Sequence, residues 1–231
     1  MISPGDVVSY LEMCSELGVN LQRGMNFRLR DDESLILMSV RVGAPYADRV
    51  EEGGRVIIYE GHDIPRTAGG PNPKSADQPE FQPSGRPTQN GHFMNAVVRF
   101  KTGKAPAEKV RVFEKIRAGI WVYNGLFRLV DGWQETLDDR RVFKFKLEIV
   151  DEPTALSASG ERSADHDRVI PTAVKLEVWK RDKGKCVICG RKESLHFDHI
   201  IPYSQGGSSK DPKNIQILCA SHNLQKRDRI Q

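Results

Sequence analysis

Apolar and polar residues alternate along much of the first 150 residues, with the period of two that marks a half-buried strand. The clearest run is Arg141-Val142-Phe143-Lys144-Phe145-Lys146-Leu147-Glu148-Ile149. Strand-like runs cover Leu35–Val42, Arg55–Tyr59, Ala96–Phe100, Val110–Phe113, Trp121–Leu129 and Val142–Val150. Ahead of them, Pro4–Leu17 has helical spacing, which predicts an opening helix with Cys14 as a small core residue. Strands this frequent, punctuated by Gly and Pro, predict a barrel or a strongly curved sheet.

Two stretches break the pattern. Residues 62–91 are dense in Pro and Gly, and a loop of that length in a compact domain usually carries function or is disordered. Residues 151–168 are small, polar and charged, which predicts an interdomain linker with a solvated His166. The organisation expected is therefore a first domain over 1–150, a linker over 151–168 and a second domain over 169–231. In the second, helical spacing over Thr172–Asp182, with Thr172 as cap, precedes a Cys knuckle. Short strands over Leu195–Ile200 and Ile215–Leu218 and a last helix over Ala220–Arg227 follow. The fold class predicted is α+β.

Composition narrows the function. No apolar run approaches the roughly 18 residues that a membrane helix needs, and the first residues lack a signal-peptide pattern. A cytosolic protein with no membrane partner is expected. Four cysteines are too few for a disulfide scaffold, and three of them cluster with a histidine. Net charge is only +4, but Lys175, Lys180, Arg181, Lys183, Lys185, Arg191 and Lys192 crowd one stretch, and Lys226, Arg227 and Arg229 the tail. Basic residues beside a metal site suit a polyanionic substrate.

The chemistry concentrates in the last fifty or so residues. Cys186, Cys189, Cys219 and His222 form a Cys-x-x-Cys…Cys-x-x-His set. Thiolates and imidazole suit a tetrahedral structural zinc, and a domain of about sixty residues gains from such a staple. Between the two pairs lies Phe197-Asp198-His199-Ile200-Ile201-Pro202. Phosphodiester hydrolysis needs an activated water and stabilisation of charge at phosphorus. His199 at a strand end can act as base near neutral pH, and Asp198 can bind a hard cation such as Mg²⁺. Asn223 offers a second, amide-oxygen ligand, and Asn214 is placed to brace the loop carrying His199. His196 reads as a strand residue without a role.

Residues 183–227 resemble the HNH endonuclease family, of ββα-metal fold. The matching string is Cys-x-x-Cys-Gly, Asp-His-Ile-Ile-Pro, Gly-Gly, Asn-Ile-Gln-Ile-Leu-Cys and His-Asn-x-x-Lys. The resemblance implies His199 as general base, Asp198 and Asn223 on a catalytic Mg²⁺ or Mn²⁺, and Asn214 orienting the base. Many members have a fourth Cys where this chain has His222, which is also a good zinc ligand.

Residues 33–150 resemble, more softly, the SRA (YDG) domain, which binds modified cytosine by flipping it from the duplex. The resemblance rests on Gly43-Ala-Pro-Tyr46-Ala-Asp48, Val56–Gly61, Asn90–Ala96, Val110–Phe113 and Trp121–Val130. Tyr-Asp-Gly stands here as Tyr123-Asn124-Gly125. A flipped base needs flat faces to stack on and polar groups at its edge. Tyr46 and Tyr59 match the stacking aromatics, and Asp48 or Glu60 could accept from the cytosine amino group. Arg66, Lys74, Arg86 and Gln89 of the 62–91 loop are candidates to fill the vacated space. Together these imply a bacterial, modification-dependent restriction endonuclease acting on duplex DNA with 5-methyl- or 5-hydroxymethylcytosine. One active site per chain implies a homodimer or two successive nicks. The alternatives are a non-cleaving reader with a zinc DNA-binding module and an HNH enzyme selecting by sequence.

Overall fold

The computed structural model describes residues 2–21, 23–30, 33–150, 169–202 and 205–226. The linker expected at 151–168 and the tail beyond Lys226 lie outside the described residues. The spine is β7 (Ile120–Leu137). Its first half pairs with β6 (Glu108–Arg117) and with β1 (Asp6–Ser9), and its second half with β8 (Arg140–Ile149). Beyond β6 come β3 (Glu33–Met38), which is parallel to it, and β2 (Met25–Arg30). Beyond β8 come β5 (Val56–Glu60) and β4 (Arg49–Glu51). Register shifts in β6–β7 and β7–β8 mark bulges, which bend a sheet and raise its twist. The β1 edge continues into β9 (Leu195–His199) and β10 (Ile215–Cys219). Among the described residues, ten strands thus form one open sheet that runs from the first segment into the last. Among the described residues, no helix is long and apolar enough to cross a membrane.

Several expectations are corrected. The opening segment is not one helix: β1 precedes α1 (Tyr10–Leu17). Val7 and Val8 are β-branched and find pairing edges on both sides, and Ser9 begins the helix through a capping box with Glu12. The run Ala96–Phe100 is not a strand but the end of α2 (Gln89–Lys101). Thr88 caps α2 through Gly91, and Phe93 and Val97, four residues apart, bury its apolar face. Thr172 is the first residue of α3 (Thr172–Arg181) rather than its cap, because its hydroxyl is directed to Glu114.

The Pro- and Gly-rich stretch is pinned by two buried amides. The Gln78 side chain accepts from Phe143 N at 2.8 Å and donates to Gly61 O at 2.8 Å. Asn90 accepts from His62 N at 2.8 Å and donates to His62 O and Pro79 O, both at 3.0 Å. Gln89 accepts from Phe27 N, so it braces the start of α2 rather than facing a ligand.

The first and last segments share one core. Val7, Ile116 and Val122 pack with Ile170, Val174, Val178, Leu195, Phe197 and Ile217 in a single apolar cluster. Gly54, at φ +95, lets the returning chain lie against it: a Cβ there would stand 2.6 Å from Val169. A charged cluster sits beside this core. Lys175 of α3 donates to Glu114 Oε2 at 2.7 Å and to Asn124 Oδ1 at 2.6 Å, and Asn124 Nδ2 donates to Glu114 at 2.9 Å. Glu114 is 1% and Lys175 2% exposed.

Burial pushes the Glu114 carboxyl up, but Lys175, Thr172 and Asn124 outweigh this and hold it below the ordinary range. A depressed carboxylate stabilises the fold above its unfolded value, and the contribution fades as pH falls through the folded one. Lys175→Met would strand a buried charge, and a loss of about 3–5 kcal/mol is expected by denaturant titration at neutral pH. The deficit should shrink as Glu114 protonates in acid.

Candidate functional site

The hairpin β9–β10 leads into α4 (Ala220–Lys226), and these three elements carry the candidate nuclease residues. His199 ends β9 opposite Ile215, and Asp198 lies opposite Gln216. The His199 Nε2 atom lies 2.8 Å from the Ser209 hydroxyl, which orients the ring. Burial lowers the His199 pKa, with Asp198 pulling the other way, so the neutral imidazole is favoured near pH 7.

Asn214 closes the loop after β9. Its Oδ1 accepts from Ile201 N at 2.8 Å, and its Nδ2 donates to Ile201 O at 3.2 Å and Ser208 O at 3.0 Å. The turn is tight enough to require glycine, since a Cβ on Gly207 would fall 1.8 Å from Ile201 O. Asn223 lies on α4 three residues before Lys226, hence on the same face.

Cys186, Cys189, Cys219 and His222 converge, with all four ligand atoms within 4.8 Å of one another. The Cys189–Cys219 sulfurs are 3.8 Å apart, and His222 Nδ1 is 3.4 Å from Cys186 Sγ and 3.3 Å from Cys219 Sγ. A tetrahedral zinc with ordinary bond lengths needs edges of about 3.8 Å between sulfurs and about 3.5 Å from sulfur to nitrogen. The donor set therefore fits such an ion. Burial pushes the Cys186 thiol up, but backbone N–H groups of Cys189, Cys219 and Ile188 and the His222 ring bring it to about 6.

In the first segment, Tyr46 and Asp48 line a cavity of about 290 Å³ together with Ser39, Arg41, Lys115 and Trp121. Each Asp48 oxygen accepts one backbone N–H, from Ser39 and Glu60, both at 3.0 Å. Burial raises its pKa to about 6, against those two bonds.

Tyr59 and Glu60 stand apart from this cavity. Tyr59 is 3% exposed and belongs to the main apolar cluster. Glu60 is held by Arg140, Lys144 and Ala47 N at 3.0–3.1 Å, which leaves its carboxylate no room for a ligand. Of the two acidic candidates, Asp48 is therefore the one that faces the cavity. Lys74 covers the Tyr46 ring at 3.8 Å and pairs with Asp63 at 2.8 Å.

Residues 186–229 match the HNH endonuclease family model. That stretch of the chain is therefore similar to the HNH endonuclease family. Among solved structures, an SRA domain of SUVH5 in complex with methylated CHH DNA is similar, at 24% identity and TM-score 0.46, covering 64% of this chain and 89% of that one. The SUVH5 SRA domain bound to fully hydroxymethylated CG DNA is 26% identical, with TM-score 0.44 and coverage of 64% and 89%. The modification-dependent TagI restriction endonuclease is 22% identical, with TM-score 0.43, covering 97% of this chain and 77% of that one. No curated protein matches.

Sequence assigns no role to three residues of this centre, although Gln216 and Lys226 stand in the matching string. Ser209 is one. Gln216 is another: its amide donates to Asp198 Oδ2 at 3.3 Å, and only strand register places it there. Lys226 is the third. It stands in the basic tail and is also the Lys of the His-Asn-x-x-Lys string, and the fold buries it against Asp198 Oδ2 at 2.8 Å, where it donates to the His199 carbonyl. His196, read as a strand residue without a role, pairs with Asp6 across β1–β9.

Purified protein is expected to carry one tightly held metal ion per chain by elemental analysis. Cys186→Ser should release it and loosen the β9–β10 packing seen by near-UV circular dichroism. Retention of the metal in that variant would refute the assignment.

Proposed function

We propose that the protein is a modification-dependent DNA endonuclease, in which the SRA-like segment reads 5-methyl- or 5-hydroxymethylcytosine and the HNH segment cuts. The observation that carries the cutting half is the oriented, neutral His199 beside Asp198, on a loop braced by Asn214. His199 takes a proton from the water that attacks phosphorus. Asp198 and Asn223 are the ligands for Mg²⁺ or Mn²⁺: their donors are hard oxygens, and Asp198 Oδ1 is not engaged by Lys226 or Gln216. The cation would supply charge neutralisation at the phosphate. Zinc at Cys186, Cys189, Cys219 and His222 is structural, since four protein ligands leave no open position.

The reading half is carried by the Tyr46–Asp48 cavity. Tyr46 supplies an aromatic face, and the Asp48 carboxylate supplies an acceptor for an exocyclic amino group. Tyr59 supports this cavity from the core: its hydroxyl lies 3.1 Å from where a Cβ on Gly24 would stand, and Gly24 lines the cavity. Cleavage of both strands then uses two centres in a homodimer, or two successive nicks.

Duplexes carrying unmodified, 5-methyl- or 5-hydroxymethylcytosine, incubated with Mg²⁺ or Mn²⁺, separate the readings. Cutting of modified DNA alone is expected, falling about 10²–10⁴-fold in His199→Ala. Equal cutting of all three would reject modification dependence. Binding without cutting would favour a non-cleaving reader.

Asp48 gives a second test. Only its ionised form accepts on both oxygens, so affinity for modified duplex should weaken as pH falls below about 6. Asp48→Asn should flatten that dependence in a fluorescence-anisotropy titration, and an unchanged slope would exclude Asp48 as the acceptor.

A further inference from the structure

Among the described residues, the one carboxylate of the HNH centre is already paired. Lys226 holds Asp198 Oδ2 at 2.8 Å with a side chain 1% exposed, while Gln216 donates to the same oxygen. The lysine is no transient visitor. It also donates to the His199 carbonyl and so ties the end of β9 to α4. The other groups of the centre, Asn214, Asn223, Ser209 and His199, add no negative charge in any protonation state. Asp6 is turned towards His196 and Ser3 N, and Asp211 caps Lys213 N. Among the described residues, the donor set therefore has a net charge near zero.

Hard divalent cations are bound in proportion to the anionic ligands offered, and Mg²⁺ typically uses one or two carboxylates plus substrate phosphates. An ammonium fixed within 3 Å of the single carboxylate opposes a second cation there by direct repulsion. We infer that Lys226 makes cation binding at Asp198 conditional on DNA: the free centre holds Mg²⁺ or Mn²⁺ weakly, and a bound phosphodiester supplies the missing charge. The cation then joins an already formed protein–DNA complex, and an idle enzyme keeps no loaded centre. This rests on the reading of Asp198 as a cation ligand. By linkage, the cation tightens DNA binding by the same factor that DNA tightens cation binding.

The test is Mn²⁺ binding followed by electron paramagnetic resonance, on full-length protein with its structural metal in place. Without DNA, a dissociation constant on the order of a millimolar is expected. Adding a 5-methylcytosine duplex to His199→Ala, which cuts it far more slowly than the parent, should tighten binding at least about tenfold. Lys226→Met should tighten DNA-free binding by a similar factor and shrink the effect of DNA, whereas Lys226→Arg should behave as the parent. A lysine with a merely structural role would not raise Mn²⁺ affinity when lost.

Micromolar Mn²⁺ binding by the DNA-free parent overturns the inference. So does a folded Lys226→Met, with metal content and melting intact, whose Mn²⁺ affinity is unchanged or lower. If Lys226→Met does not fold, the effect of DNA on His199→Ala decides alone, and its absence overturns the inference. Asp198→Asn keeps the two readings apart. Undiminished Mn²⁺ binding in that variant, with DNA present, removes Asp198 from the ligand set whatever Lys226 does.

Discussion

The strongest polar tie between the first and last segments is the buried pairing of Glu114 with Lys175. A carboxylate and an ammonium, each almost fully out of water, are stable only while both are present and their remaining valences are met. Thr172 and Asn124 meet them. This explains why the Tyr-Asp-Gly triplet stands here as Tyr123-Asn124-Gly125. An amide can donate to Glu114 and accept from Lys175 at once, whereas a second carboxylate would place two like charges against one lysine.

From that anchor α3 runs to the HNH centre. At its far end Arg181 donates to Pro212 O at 2.7 Å and Ile215 O at 2.6 Å, and Asp182 accepts from Ile217 N at 3.0 Å. Those carbonyls flank Asn214, which braces the loop after His199. A continuous set of contacts therefore joins the sheet of the first segment to the loop after His199, in parallel with the β1–β9 pairing. The β9–β10 hairpin is an extension of the first segment's sheet as much as a separate module, and the apolar cluster they share would face water if either were removed.

Charge does different work at the two candidate sites. In the cavity, burial raises the Asp48 pKa to about 6, so its carboxylate carries a desolvation cost that a partner donating a hydrogen bond would offset. At the HNH centre, Lys226 does the opposite and keeps Asp198 satisfied in the absence of any ligand. The buried set of Glu60, Asp63, Arg140 and Lys144, with Lys74 paired to it through Asp63, fixes the loop carrying Tyr46 against β5 and β8.

The α+β class, most strands of the first segment, the metal-ligating Cys and His set and the Asp198–His199 pair were legible in the sequence. They rest on local signals: period-two alternation, and ligand spacing set by a knuckle and one helical turn. The strand character of Asp6–Ser9 was not legible, because it arises from two pairing edges far away in the chain. The helix over Gln89–Lys101 was misread where Ala-Val-Val, apolar and β-branched, outweighed the cap at Thr88. Tertiary structure alone decided that Lys175 and Lys226, two lysines in basic runs, are buried partners of Glu114 and Asp198. It also decided that of Asp48 and Glu60 only the first faces the cavity. Charge and hydrogen-bonding capacity are written in each residue, but what a group faces is set by residues dozens of positions away.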